Sequence, residues 1–149
     1  GRVDYFGGTA RPVSSDVRHK MKNKPIYHSD HFANEVRNSF DGEDRLFIDC
    51  TFANMTMEGA QLYTSLFYRC NLADTDFYWA HFYGARLIDC KLKRVDFRGA
   101  NMEGCTFINC ELIDCNFGKD NLGADTDTSS VIFIDTKTTN CPGLLHQNA

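Results

Sequence analysis

From Arg45 to Ala124 a large apolar residue returns at every fifth position. Written in fives, the stretch begins RLFID, CTFAN, MTMEG, AQLYT, and its third column runs from Phe47 to Leu122 as Phe, Leu or Met in all sixteen units. The first column is Cys, Ala, Ser, Thr, Val or Met in fourteen of the sixteen, the exceptions being Arg45 and Asp120 in the outermost units. A period of five fits neither the 3.6 of a helix nor the 2 of a flat strand. It fits a coil in which each unit makes one short extended side and then turns a corner. The large residue and the small residue two before it both face inward, because residues two apart share a strand face. Gly59, Gly84, Gly99 and Gly104 fall at the fifth, corner position, where glycine accepts a positive φ without strain.

Units such as CNLAD, ANMEG, VDFRG and DNLGA match the motif A(D/N)LXX, and residues 45–124 resemble the pentapeptide-repeat family. The resemblance implies an all-β fold, a right-handed quadrilateral parallel β-helix of about four coils with four units in each. Cysteine in the small column departs from the motif. So do Leu66, His81, Arg86 and Lys91, where Asp or Asn is usual. These departures leave the fold unchanged and identify no subfamily.

With four units per coil, positions 20 apart stack. Cys50, Cys70, Cys90 and Cys110 then form one inward column, read as small apolar core fillers. The first side stacks Phe52, Leu72, Leu92 and Leu112; the second Met57, Phe77, Phe97 and Phe117. The third stacks Leu62, Phe82, Met102 and Leu122, and the fourth Phe47, Phe67, Leu87 and Phe107. No CxxC spacing occurs, so a zinc site is not expected.

Function is sought on the outward positions. On the fourth side Ile48, Tyr68, Ile88 and Ile108 form an apolar column beside Leu46 and Leu66, and an apolar stripe on a wet face marks a contact. The protein's own N-terminal segment, a protein partner and a second copy are the three candidate occupants. A second cluster holds Tyr63, Tyr78, Trp79, His81 and Tyr83, residue types enriched at interface hot spots. Lys91, Lys93, Arg94 and Arg98 lie among Asp74, Asp76, Asp96 and Asp114 and read as a solvated charge face. Asp49, Arg69 and Asp89 share one corner as an alternating charge ladder.

The ends lack the repeat. Residues 1–29 read as an extended or flexible arm carrying the basic run Arg18–Lys24. Ser29 and Asp30 are good N-cap residues, and Phe32, Val36 and Phe40 fall at i, i+4 and i+8. A short capping helix is therefore expected over 30–40, turning at Asp41-Gly42 within a segment that spans 30–44. His28, Asp30 and His31 are too few to hold a metal without a further cluster. After the repeat at 45–124, residues 125–149 read as a loop at 125–129, a partial fifth coil and a C-terminal cap. Ser130 and Ile132 return there in phase, and Leu144 and Leu145 cover the end.

The chain has 149 residues, 42% hydrophobic and 24% charged, enough for one domain with a core. No apolar run exceeds four residues, as in Val131–Ile134, which excludes a membrane span over this sequence. A formal charge of −4 argues against direct nucleic-acid binding. Five scattered histidines, a filled interior and a convex exterior supply no convergent site for catalysis, a cofactor or a small-molecule substrate. The reading is a non-catalytic structural and protein-interaction module, a rigid scaffold that docks a protein partner or a second copy through its outer faces. Two alternatives stand beside it. Some family members mimic DNA and protect gyrase, although those resemble longer, more acidic rods with a dimerising C-terminal helix. The chain also reads as a domain of a larger effector or membrane-associated protein, for which Gly1 at its start is the hint. Unpaired core thiols favour a reducing compartment such as the cytoplasm, or an organelle if the chain is a processed fragment.

Overall fold

The computed structural model describes residues 4–6, 9–11 and 26–144. Two strands, β1 (Asp4–Phe6) and β2 (Thr9–Arg11), form an antiparallel pair within the expected N-terminal arm. The basic run Arg18–Lys24 lies outside the described residues.

From Ile26 onward the chain winds into a four-sided parallel β-solenoid. One side is a six-stranded sheet of β3 (Ile26–His28), β5 (Leu46–Ile48), β7 (Leu66–Tyr68), β9 (Arg86–Ile88), β11 (Thr106–Ile108) and β13 (Ile132–Ile134). The next side is a second six-stranded sheet of β4 (His31–Ala33), β6 (Thr51–Ala53), β8 (Asn71–Ala73), β10 (Lys91–Lys93), β12 (Glu111–Ile113) and β14 (Lys137–Thr139). The other two sides pair only through single bridges, Val36–Thr56–Asp76–Asp96–Asn116 and Asp41–Gln61–His81–Asn101. Six strands spaced at about 4.8 Å make each sheet roughly 24 Å tall.

The repeat dictates this winding. From Phe47 to Phe117 each middle residue is sealed inside, and rings stack from coil to coil, Phe47 on Phe67 at 4.5 Å and Phe97 on Phe117 at 4.8 Å. The corners take positive φ, at glycine as predicted and elsewhere mainly at Asn and Asp, which tolerate it best among side-chain-bearing residues. All seven cysteines are buried thiols. They do more than fill space: Cys50, Cys70, Cys90 and Cys110 donate S–H to the carbonyls of Tyr27, Phe47, Phe67 and Leu87 at 3.2–3.3 Å. Thr136 takes the next place in that column and donates to Phe107 O at 3.1 Å.

Three expectations at the ends are corrected. Residues 30–40 form no helix: His31–Ala33 is β4, paired in register with β6, and corners at Ser29, Asn34, Ser39 and Asp44 continue the period of five. The solenoid therefore gains a coil before Arg45. That coil hides from sequence reading because Arg37 and Gly42 occupy its middle positions. Phe40, two residues before Gly42, fills the vacant space instead, and a Cβ on Gly42 would lie 2.5 Å from Leu62 Cδ2 and 3.1 Å from Phe40 Cε1. Leu122 is not inward; it is 81% exposed on a loop over 118–130. Ile132 is also outward. The chain returns one residue out of phase, with Phe133 stacked on Phe107 at 5.3 Å, and a one-residue slip sends every side chain to the opposite face. The last turn then supplies two sides, β13 and β14. Leu144 packs half-buried against the core end, and Leu145 lies outside the described residues.

Candidate interaction surfaces

The aliphatic stripe follows from strand register. In the sheet containing β5, the middle residue of each strand points in and its two neighbours point out. Parallel pairing aligns His28, Ile48, Tyr68, Ile88, Ile108 and Ile134 in one outer column. The other outer column is Ile26, Leu46, Leu66, Arg86, Thr106 and Ile132. Ile48, Tyr68, Ile88 and Ile108 are half-buried, each shielded by its neighbours above and below. Ile132 and Ile134 are more open, at 49% and 45% exposure. Sequence reading missed their membership because it placed Ile132 inside. At the adjoining corner Arg69 pairs with Asp49 at 2.8 Å, and Asn109 donates to Asp89 at 2.7 Å. The Arg69 guanidinium lies 4.8 Å from the Tyr68 ring centroid and covers part of the stripe's middle.

The aromatic cluster splits in two. Tyr63 stacks on His81 at 5.1 Å, and Tyr83, 46% exposed, stands on the same side. Tyr78 and Trp79 turn towards the 118–130 loop and hold it. Tyr78 is 7% exposed, stacks on Trp79 at 5.0 Å, and its hydroxyl accepts the Asn121 N–H at 2.9 Å. Trp79 lies over Gly99, the one corner where a Cβ would collide with the indole, and its Nε1 donates to Asp120 at 3.3 Å. Thr126 completes the clasp: its hydroxyl accepts from Gly99 N at 2.7 Å and donates to Gly118 O at 2.9 Å. Ser130 accepts from Gly104 N at 3.1 Å. Sequence reading missed Asp120, Thr126 and Ser130. The signal for the first was present, since Asp120 is a carboxylate in a column that otherwise demands small residues.

Electrostatics on these faces is local. Arg94 binds Asp74 through two hydrogen bonds and holds that carboxyl below the usual range, while Arg98 meets Asp96 at 2.9 Å. Asp120 is likewise held low, first by the Ala124 N–H and also by the Trp79 indole and the N–H groups of Leu122 and Gly123. His31 engages Thr51 at 2.6 Å and His28 approaches Asp49 at 3.8 Å, so the two do not converge with Asp30. Among the described residues no three His, Cys, Asp or Glu side chains are placed to hold a metal ion, and no helix is long and apolar enough to cross a membrane. What this surface offers is contact area: one aliphatic stripe and one clasped loop with Leu122 exposed at its tip.

A family profile described as a pentapeptide repeat region matches residues 42–117 and 60–140. It describes a repeat architecture and names no catalytic activity. Solved structures of similar fold include full-length QnrB1, a plasmid-mediated fluoroquinolone resistance protein, 17% identical over 74% of this chain at a TM-score of 0.54. The chain spans 59% of that protein's length. A pentapeptide repeat protein, Rfr23, from the cyanobacterium Cyanothece 51142 is 13% identical, with 84% of this chain and 94% of that one covered at a TM-score of 0.42. No curated protein sequence matches the chain.

Proposed function

The chain belongs to the pentapeptide-repeat family, and on that premise we propose that it is a non-catalytic scaffold that docks a protein partner through the outer face of the β3–β13 sheet. The observation that carries this reading is the aliphatic stripe from Ile48 through Ile134, which neighbouring side chains shield only in part. Of the residues singled out in the sequence, Ile48, Tyr68, Ile88 and Ile108 belong to this proposed site. Tyr83 stands as an outlying contact. Tyr78 and Trp79 serve it indirectly, by fixing the loop.

The test compares wild type with an Ile88→Glu, Ile108→Glu double variant whose circular dichroism and melting match wild type. Retrieval from the source lysate is quantified by mass spectrometry, and light scattering reports self-association. Loss of a wild-type partner, or of a wild-type dimer, from the double variant is the expected result. Identical retrieval and mass for both proteins would overturn the proposal. The likeness to QnrB1, a fluoroquinolone resistance protein, motivates a second assay, gyrase supercoiling with a fluoroquinolone present. Protection by this chain that survives in the double variant would favour the gyrase reading over the scaffold one.

A further inference from the structure

We propose that Cys115 and Cys141 form a reversible disulfide that pins the last half-coil to the coil beneath it, with a small-molecule disulfide of the glutathione class as oxidant. This inference is independent of the docking surface. Register places the two residues together: β12 pairs with β14 from Glu111–Lys137 to Ile113–Thr139, and the Asp114 N–H to Thr139 O bond at 3.0 Å and the Phe117 N–H to Pro142 O bond at 2.7 Å continue that pairing past the two cysteines. They are therefore successive members of one inward column. Parallel neighbours sit about 4.8 Å apart, inside the Cα separation of roughly 4.4–6.8 Å that disulfides span.

Two observations separate this pair from the Cys50–Cys110 column. First, its thiols reach less closely to the carbonyls of the neighbouring coil. Cys115 stands 3.6 Å from Leu92 O and Cys141 stands 3.6 Å from Leu112 O, against 3.2–3.3 Å for the corresponding cross-coil bonds of the other column, while Cys141 keeps a 3.4 Å bond to Thr139 O. The two sulfurs also share a hydrogen bond with each other, as Cys70, Cys90 and Cys110 do along their own column. That bond holds Cys141 down to about 7, while it and burial push Cys115 up, so Cys141 is the thiol that ionises first. Second, β14 is the outermost strand of its sheet, whereas Cys70 and Cys90 have coils on both sides. Inward side chains in successive coils point in parallel, which opposes bridging inside a solenoid. A terminal strand can shift to relieve that constraint, and its local opening admits the oxidant.

The chemistry closes on two thiols. The Cys141 thiolate attacks one sulfur of oxidised glutathione, forming a mixed disulfide and expelling a glutathione thiolate. Cys115, on losing its proton, attacks the Cys141 sulfur of that mixed disulfide and expels the second. Two cysteine thiols are oxidised, one glutathione disulfide is reduced, and the two released protons neutralise the two glutathione thiolates.

The full chain is incubated with oxidised glutathione, and thiols are trapped with N-ethylmaleimide. Cleavage before aspartates isolates Cys115 in residues 114–119 for mass spectrometry. The expected result is a fall from seven thiols to five, a Cys115–Cys141 cross-link reversed by dithiothreitol, and a Tm raised by roughly 5–10 °C. The rate should rise as pH passes through about 7. Cys141→Ser and, as a second variant, Cys115→Ala should each abolish the cross-link and the Tm shift. Seven thiols surviving in the folded protein, a stable glutathione adduct without a cross-link, or a cross-link between other cysteines would overturn the proposal.

Discussion

Trp79 is the chain's only tryptophan, and its ring reports on a single set of contacts: Tyr78 on one side, Gly99 beneath, Asp120 at its Nε1. Asp120 is a carboxylate whose pKa is lowered in the folded chain, so its contribution is complete above the ordinary carboxylate range and is lost as pH falls through the lowered folded value. Trp79 emission is accordingly expected to shift on acidification below about pH 4. That shift should precede loss of the far-ultraviolet signal of the solenoid. Asp120→Ala should show the shifted spectrum already at neutral pH. A spectrum that stays constant until global unfolding would show that the clasp does not depend on this carboxylate.

Among the elements, the first coil carries a rearrangement that the later coils lack. Phe40 and Gly42 exchange the usual small and large positions, so the ring enters the core from the corner side. Gly42→Leu alone should overpack against Leu62 and Phe40 and cost about 1–3 kcal/mol. Adding Phe40→Ala restores the regular order, and the double variant should be more stable than the sum of the two single losses, as read by denaturant melts. Simple additivity would mean that the two side chains do not compete for one space. This exchange also explains how much was legible. Units from Arg45 to Phe117 announce themselves because each contributes one large inward residue and, Arg45 and Met55 aside, one small one. The preceding coil breaks that code at Arg37 and Gly42, and its Phe32, Val36 and Phe40 then imitate a helical stripe. At the other end DNLGA satisfies the motif and still leaves the coil. Inward folding would bury the Asp120 carboxylate among apolar side chains, whereas in the loop it collects the N–H groups of Leu122 and Ala124 at 2.9 Å each. The stripe was visible as far as Ile108. Its continuation through Ile134 depends on a loop length that no local pattern encodes.

Across the whole molecule each coil touches only its neighbours, so stability is distributed along the axis. The coils from Ser65 to Gly104 have complete inner layers above and below. The first coil instead carries Glu35 and Arg37 at its inward positions, exposed and paired with each other at 2.8 Å. Hydrogen exchange should therefore be slowest in β7, β9 and β11. It should be at least about tenfold faster at Val36 to Asp44. Uniform protection from Ile26 to Thr139 would indicate one cooperative unit and no end-to-centre gradient. The same gradient bears on docking, because a partner that spans the stripe would tie the less protected end to the well-protected centre.

The spacing between paired strands is 20 residues through most of the solenoid and 26 across the last turn, yet β13 and β14 still land in register on β11 and β12. Nature has thus already performed an insertion into one coil, and the clasp by Tyr78, Trp79 and Thr126 shows how it is accommodated. The outermost part of that excursion, at Leu122-Gly123, is a natural port for foreign sequence. An epitope or a reporter peptide spliced there would be carried on the solenoid at a defined height and bearing, its two ends anchored by Tyr78 at Asn121 and by Thr126 at Gly99 and Gly118.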